Sequence, residues 1–162
     1  MKNAMKKAVK NLLTSVALTV TLGTASLADT MATGDMGLIV ERATGSVLLV
    51  DQSEHAALTR IEGLGDLSHA SLVYSSDERF AYVFGRDGGL TKVDIVERKI
   101  ANRVVQAGNS IGGAISDDGK LVAVSNYEPG GVRIFDADTL ALVADLPTDS
   151  KTIGLVDVSL SV

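Results

Sequence analysis

The sequence of 162 residues contains no cysteine. That excludes disulfides, thiolate nucleophiles and thiolate-held metals, and equally a lipid anchor on a cysteine that follows a cleavage site. Positive charge is scarce, with 15 Lys and Arg against 20 Asp and Glu. Such a surface repels phosphate backbones, so nucleic acid is not an expected partner. Long hydrophobic runs are missing too. The apolar stretch at residues 12–22 is about half the roughly 20 residues that a membrane-spanning helix needs. Also absent are a Ser-His-Asp spacing, a glycosidase-type carboxylate pair and a Cys/His metal cluster. The glycines of 108–113 precede no helical segment whose amides would cradle a phosphate, which argues against a nucleotide site.

What is present begins with a targeting segment. Lys2, Lys6, Lys7 and Lys10 precede the apolar stretch, and no acid appears before Asp29. Ser26-Leu27-Ala28 supplies the small-x-small pattern of a signal-peptidase site, so residues 1–28 read as a Sec-type signal peptide cleaved after Ala28. The formal charge of −5 then becomes about −9, because four cations leave and no anion does. The expected mature product, residues 29–162, is a soluble periplasmic protein without a membrane anchor.

The remaining chain repeats. Segments ending in Asp51, Asp94 and Asp136 each follow a short β-branched run, Ser46-Val47-Leu48-Leu49-Val50, Leu90-Thr91-Lys92-Val93 and Val132-Arg133-Ile134-Phe135. The spacing of about 42 residues falls in the range of four-stranded propeller blades. Asp118-Gly119 is a hairpin-turn signal, since a positive φ is cheap there. No helical apolar period interrupts the pattern. The expected map is all-β: strands b, c and d of a first blade at 36–41, 46–51 and 57–62. A second blade follows at 70–75, 80–84, 90–94 and 100–105, and a third at 112–115, 121–125, 132–135 and 142–146. Residues 151–158 would open a fourth. A closed barrel or sandwich could use as many strands, but the regular period favours blades. Since a propeller closes with four blades or more, about three blades make a partial ring, and a chain truncated at its C-terminus is expected. Its open end faces and strand edges would leave the piece marginally stable.

Four blocks carry a family resemblance. Glu62-Gly63-Leu64-Gly65-Asp66-Leu67-Ser68-His69-Ala70-Ser71 and Tyr82-Val83-Phe84-Gly85-Arg86-Asp87-Gly88-Gly89-Leu90-Thr91-Lys92-Val93-Asp94 are similar to the haem d1 biosynthesis propeller proteins. So are residues 106–116 and Ser125-Asn126-Tyr127-Glu128-Pro129-Gly130-Gly131-Val132. That family is related to the haem-d1 domain of the nitrite reductase cytochrome cd1, a ring of eight blades with the cofactor at one mouth. The resemblance implies a periplasmic tetrapyrrole-binding protein of haem d1 biosynthesis and denitrification. Its ligand or substrate would be haem d1 or a late iron-containing precursor. Whether it modifies the tetrapyrrole periphery, or carries haem d1 without catalysis to cytochrome cd1 or to other maturation proteins, is left open.

The candidate residues follow. His69 ends a Gly-rich connection just before an inner strand, where a neutral imidazole can ligate iron; the resemblance places the proximal haem d1 ligand there. The alternative is a hydrogen bond to a neighbouring blade. His55, in a turn-like Ser-Glu-His segment, reads as a surface residue. Asp157 closes the run Gly154-Leu155-Val156, and the resemblance implies a functional acid there; the alternative is one more strand-ending Asp. Arg86 and Arg42 offer planar forks for the macrocycle's carboxylates, with Arg86 alternatively pairing with its neighbour Asp87. Tyr127 would stack on the ring or cap a loop.

Overall fold

Polar residues punctuate the chain at nearly equal intervals, and each interval folds into one sheet. A computed structural model describes residues 33–148. The signal segment 1–28, the expected fourth-blade strand at 151–158 and Asp157 lie outside the described residues. A 3-10 turn, Thr33–Asp35, leads into β1 (Met36–Glu41), β2 (Ser46–Asp51) and β3 (Ala56–Ile61). The second sheet is β4 (Ser71–Tyr74), β5 (Phe80–Phe84), β6 (Gly89–Asp94) and β7 (Lys99–Val105). The third is β8 (Asn109–Ile115), β9 (Leu121–Glu128), β10 (Gly130–Asp136) and β11 (Leu142–Pro147). Every neighbour pair is antiparallel and sequential, giving the orders β1-β2-β3, β4-β5-β6-β7 and β8-β9-β10-β11. These are three blades of a β-propeller, and no α-helix occurs among the described residues.

The spacing of the aspartates has a structural cause. Each ends the third strand of its blade and caps the turn to the outermost strand. Asp51 Oδ1 accepts the Ser53 and Glu54 amides, Asp94 Oδ1 accepts Glu97, and Asp136 Oδ1 accepts Asp138 and Thr139. The fourth residue after each Asp takes a left-handed φ: 53° at His55, 55° at Arg98 and 57° at Leu140. A register shift just before each Asp, at Leu49/Val50, Lys92/Val93 and Ile134/Phe135, also recurs. The turns between inner strands repeat as well. Ser75 Oγ donates to Asp77 and accepts the Phe80 amide; Ser116 Oγ donates to Asp118 and accepts the Leu121 amide.

Packing between blades follows from the two-residue period of a strand. In β5, Ala81 and Val83 face the first blade and share a core with Val47, Leu49 and Ile61. Tyr82 and Phe84 point the other way, to Val122, Val124 and Phe135 of the third blade. Both faces of this sheet are therefore buried, and burying Phe84 alone contributes about 2–3 kcal/mol. Room for its ring requires Gly113 on β8, where a Cβ would overlap the Ala123 carbonyl and stand 2.7 Å from the Phe84 ring. Three polar ties add to this interface. Tyr82 Oη donates to the Ala137 carbonyl at 2.8 Å, the Asn102 side-chain amide donates to the Thr139 carbonyl, and buried Lys92 bonds Asp138 while lying 4.1 Å above the Phe80 ring.

Candidate functional site

Antiparallel blades have two ends. One gathers the β4–β5 and β8–β9 turns with the turns that follow the capping aspartates. The other gathers the links between blades, 62–70 and 106–108, with the β1–β2, β5–β6 and β9–β10 turns. His69, Arg86, Tyr127 and Arg42 all lie at this second end.

Three of those four come together. His69, Arg86 and Tyr127 line one cavity with Asn109, Ser110 and Ile111, about 160 Å³ in volume. The strand register explains why. Ser71 pairs with Phe84 in the second blade as Gly112 pairs with Ser125 in the third. Ser110 is thus the third-blade counterpart of His69, and Tyr127 the counterpart of Arg86. The cavity is built from the same two positions of adjacent blades, and the inner strands β4 and β8 run alongside each other beneath it.

The frame of the site is backbone. The Ser68 amide donates to Asp66 Oδ1 at 2.9 Å and Ala70 N–H to the Leu67 carbonyl, forming the tight turn that presents His69. The Arg86 amide donates to the Asp66 carbonyl at 2.8 Å, and the Ser110 amide donates to the Arg86 carbonyl at 3.3 Å. Ser110 Oγ donates to the Gly85 carbonyl at 2.6 Å. Link, turn and inner strand are stitched in series, while the side chains of His69 and Arg86 stay free. His69 and Arg86 are exposed, and among the described residues neither side chain has a hydrogen bond or an ion pair. Asp66 feels the charges of both. The Ser68 amide, with the charges of Arg86 and His69 contributing less, holds its carboxyl below the usual carboxylate range.

Two expectations need correction. Arg86 does not pair with its neighbour: Asp87 is taken by Arg103 at 2.7 Å. The third inner strand begins at Asn109, not at Gly112, which brings Asn109, Ser110 and Ile111 into the cavity wall. Arg42 is exposed in the β1–β2 turn, at the same end of the blades, but does not line the cavity. His55 is the exposed left-handed residue of the first capping turn. No cluster of three or more His, Asp or Glu able to hold a bare metal ion occurs among the described residues, nor does a helix long and apolar enough to cross a membrane.

Residues 31–157 match the Cytochrome D1 heme domain family. The chain belongs to this family. It is 60% identical over 134 residues to "Protein NirF" of Stutzerimonas stutzeri, an alignment covering 78% of this chain and 34% of that protein. With "Protein NirF" of Pseudomonas aeruginosa it shares 55% identity over 148 residues, covering 86% of this chain and 38% of the other. The chain thus spans little more than a third of the length of these relatives. The solved structure of the dihydro-heme d1 dehydrogenase NirN in complex with DHE superposes with a TM-score of 0.67 at 30% identity, covering 71% of this chain and 24% of that one.

Proposed function

We propose that the chain contributes to a tetrapyrrole-binding mouth and acts in haem d1 biosynthesis, on haem d1 or a late iron-containing precursor, in the periplasm. The observation that carries this reading is the meeting of His69, Arg86 and Tyr127 in one cavity with imidazole and guanidinium both unspent. Family membership and the similarity to proteins named NirF support it.

The residues fit such a ligand in a specific way. Small-ligand pockets are typically about 300–1,000 Å³, so a cavity of 160 Å³ takes a side arm and not the ring. Arg86 offers a fork for a carboxylate arm, and Asn109 and Tyr127 line the same space. The ring would lie across the mouth, where exposed His69 is free to bind iron. Bound there, the tetrapyrrole supplies its iron and its conjugated periphery as the reactive groups. The protein's part is to ligate, orient and pair charge. Arg42, at the same end, is a second guanidinium for another carboxylate, and Asp157 is the candidate proton donor or acceptor.

Whether the chain converts the tetrapyrrole or carries it turns on that acid. The alternative, a carrier handing haem d1 to cytochrome cd1 or to maturation proteins, needs no such acid. The dehydrogenase named among its structural neighbours favours a pathway enzyme. Addition of haem d1 or its precursor to the protein tests both. A saturable absorbance shift supports binding, and its absence at every concentration contradicts it. Mass spectrometry of the recovered tetrapyrrole then separates the roles: a changed mass marks an enzyme, an unchanged one a carrier.

A further inference from the structure

A two-point site works only if its two points keep their separation, and one half-buried ion pair is placed to keep it. Arg103, on β7, donates from Nε and Nη2 to the Leu64 carbonyl at 3.3 and 3.1 Å, and from Nη2 to Asp87 Oδ2 at 2.7 Å. Leu64 is in the link that presents His69, and Asp87 follows Arg86 in the β5–β6 turn. Asp87 Oδ1 in turn accepts the Gly89 amide at 3.0 Å, closing that turn. The guanidinium therefore reaches from an outer strand to hold both supports of the cavity.

Its path is cleared by glycines. A Cβ at Gly65 would overlap both the Arg103 guanidinium and the Asp87 carboxylate. One at Gly89 would come 2.7 Å from Arg103 Nη2 and 2.8 Å from Asp87 Oδ1, and one at Gly85 would stand 2.7 Å from Asp87 Oδ1. Three glycines around one ion pair leave it a single slot. The side chains of Arg103 and Asp87 are 23% and 32% exposed, sheltered enough for the fork to act as a fixed strut.

We infer that Arg103 is a positioning residue for the tetrapyrrole site, fixing the turn that bears Arg86 against the link that bears His69. This rests on the function proposed above, and its test has one arm that does not. In the first arm, amide hydrogen exchange is followed in the ligand-free protein with and without Arg103→Gln. Exchange at Leu64, Arg86 and Gly89 should accelerate about tenfold or more, while the Phe80, Glu97 and Leu121 amides at the opposite end keep their rates. Unchanged rates at Arg86, or equal acceleration at both ends, would overturn the inference. In the second arm, haemin and its dimethyl ester are titrated into wild type, Arg86→Gln and Arg103→Gln. Arg103→Gln should lose the preference for the free acid as fully as Arg86→Gln does, while binding of the ester is retained. A preserved preference, or equal weakening for both probes, would contradict it. If wild type binds neither probe, nor haem d1 in the titration given above, the proposed function fails, and the exchange arm alone decides the role of Arg103.

Discussion

The two ends of the blades differ in how closely their polar residues follow the repeat. At the end of the capping turns the same polar residues recur in the same fold-holding roles. Asp51, Asp94 and Asp136 each hold the amides of their own turn, and Ser75 with Asp77 repeats as Ser116 with Asp118. Even buried Lys92 is spent on Asp138 and the Phe80 ring, and burial with the nearby charge of Asp138 pushes the Tyr82 phenol up to about 12. At the other end Glu41 is held by Arg60 and Ser46, Gln106 by Asn126 and Asp87 by Arg103, while His69 and Arg86 are left over. In a repeat fold, side chains that recur at equivalent positions have a folding duty in every blade. His69 has Ser110 as its counterpart and Arg86 has Tyr127. The departure from the repeat, not the repeat, marks the proposed site.

Substitutions at the two ends should therefore separate stability from ligand binding, and the core should not. Phe84→Ala, between the second and third blades, removes packing common to both ends and should cost about 3–5 kcal/mol in urea unfolding. Ligand binding would then be lost with the fold. Asp94→Ala strips a cap from the Glu97 amide and the partner of Arg79. It should lower stability by about 1–2 kcal/mol and leave any tetrapyrrole spectrum unchanged; an altered spectrum would break the division between ends. Acid titration sharpens it further. The Asp118 carboxyl is lowered to about 2, first by the Ser116 hydroxyl, and Glu41 to about 2, first by Arg60. Folded values below unfolded ones mean that their stabilisation is present above the unfolded pKa and fades as pH falls from about 4 to about 2. Asp118→Asn should make unfolding less steep with pH across that window. The smallest effect belongs to Arg98, exposed with φ 55°. Arg98→Gly relieves the left-handed cost and should change stability by no more than about 1 kcal/mol, in the stabilising direction.

Much of the fold was legible because its punctuation is local. An Asp cap, an Asp-Gly turn and a two-residue alternation all act within a few residues, so β1, β2 and β5 fall where the pattern places them. The start of β8 was not, because Gly112 and Gly113 look like a strand entry, whereas the ladder runs back through a register shift to Asn109. The same error hid Asn109, Ser110 and Ile111 as cavity residues. Arg103 was invisible for a different reason: its acceptor on Leu64 is 39 residues away, and nothing local predicts the bond. The ion pair of the same guanidinium with Asp87 explains why Asp87 does not pair with adjacent Arg86. His69, Arg86 and Tyr127 could be chosen from sequence, but their meeting depends on the register between adjacent blades. Asp157 lies outside the described residues.

The central claim, that the binding chemistry sits at the His69 end alone, is tested most directly by titrating haem d1 into wild type, His69→Ala and Asp94→Ala side by side while following the absorbance spectrum. The account predicts a saturable shift in wild type and in Asp94→Ala, and in His69→Ala a loss of affinity of roughly 100-fold or more, with the signature of imidazole ligation gone. An unchanged spectrum and affinity in His69→Ala would contradict it.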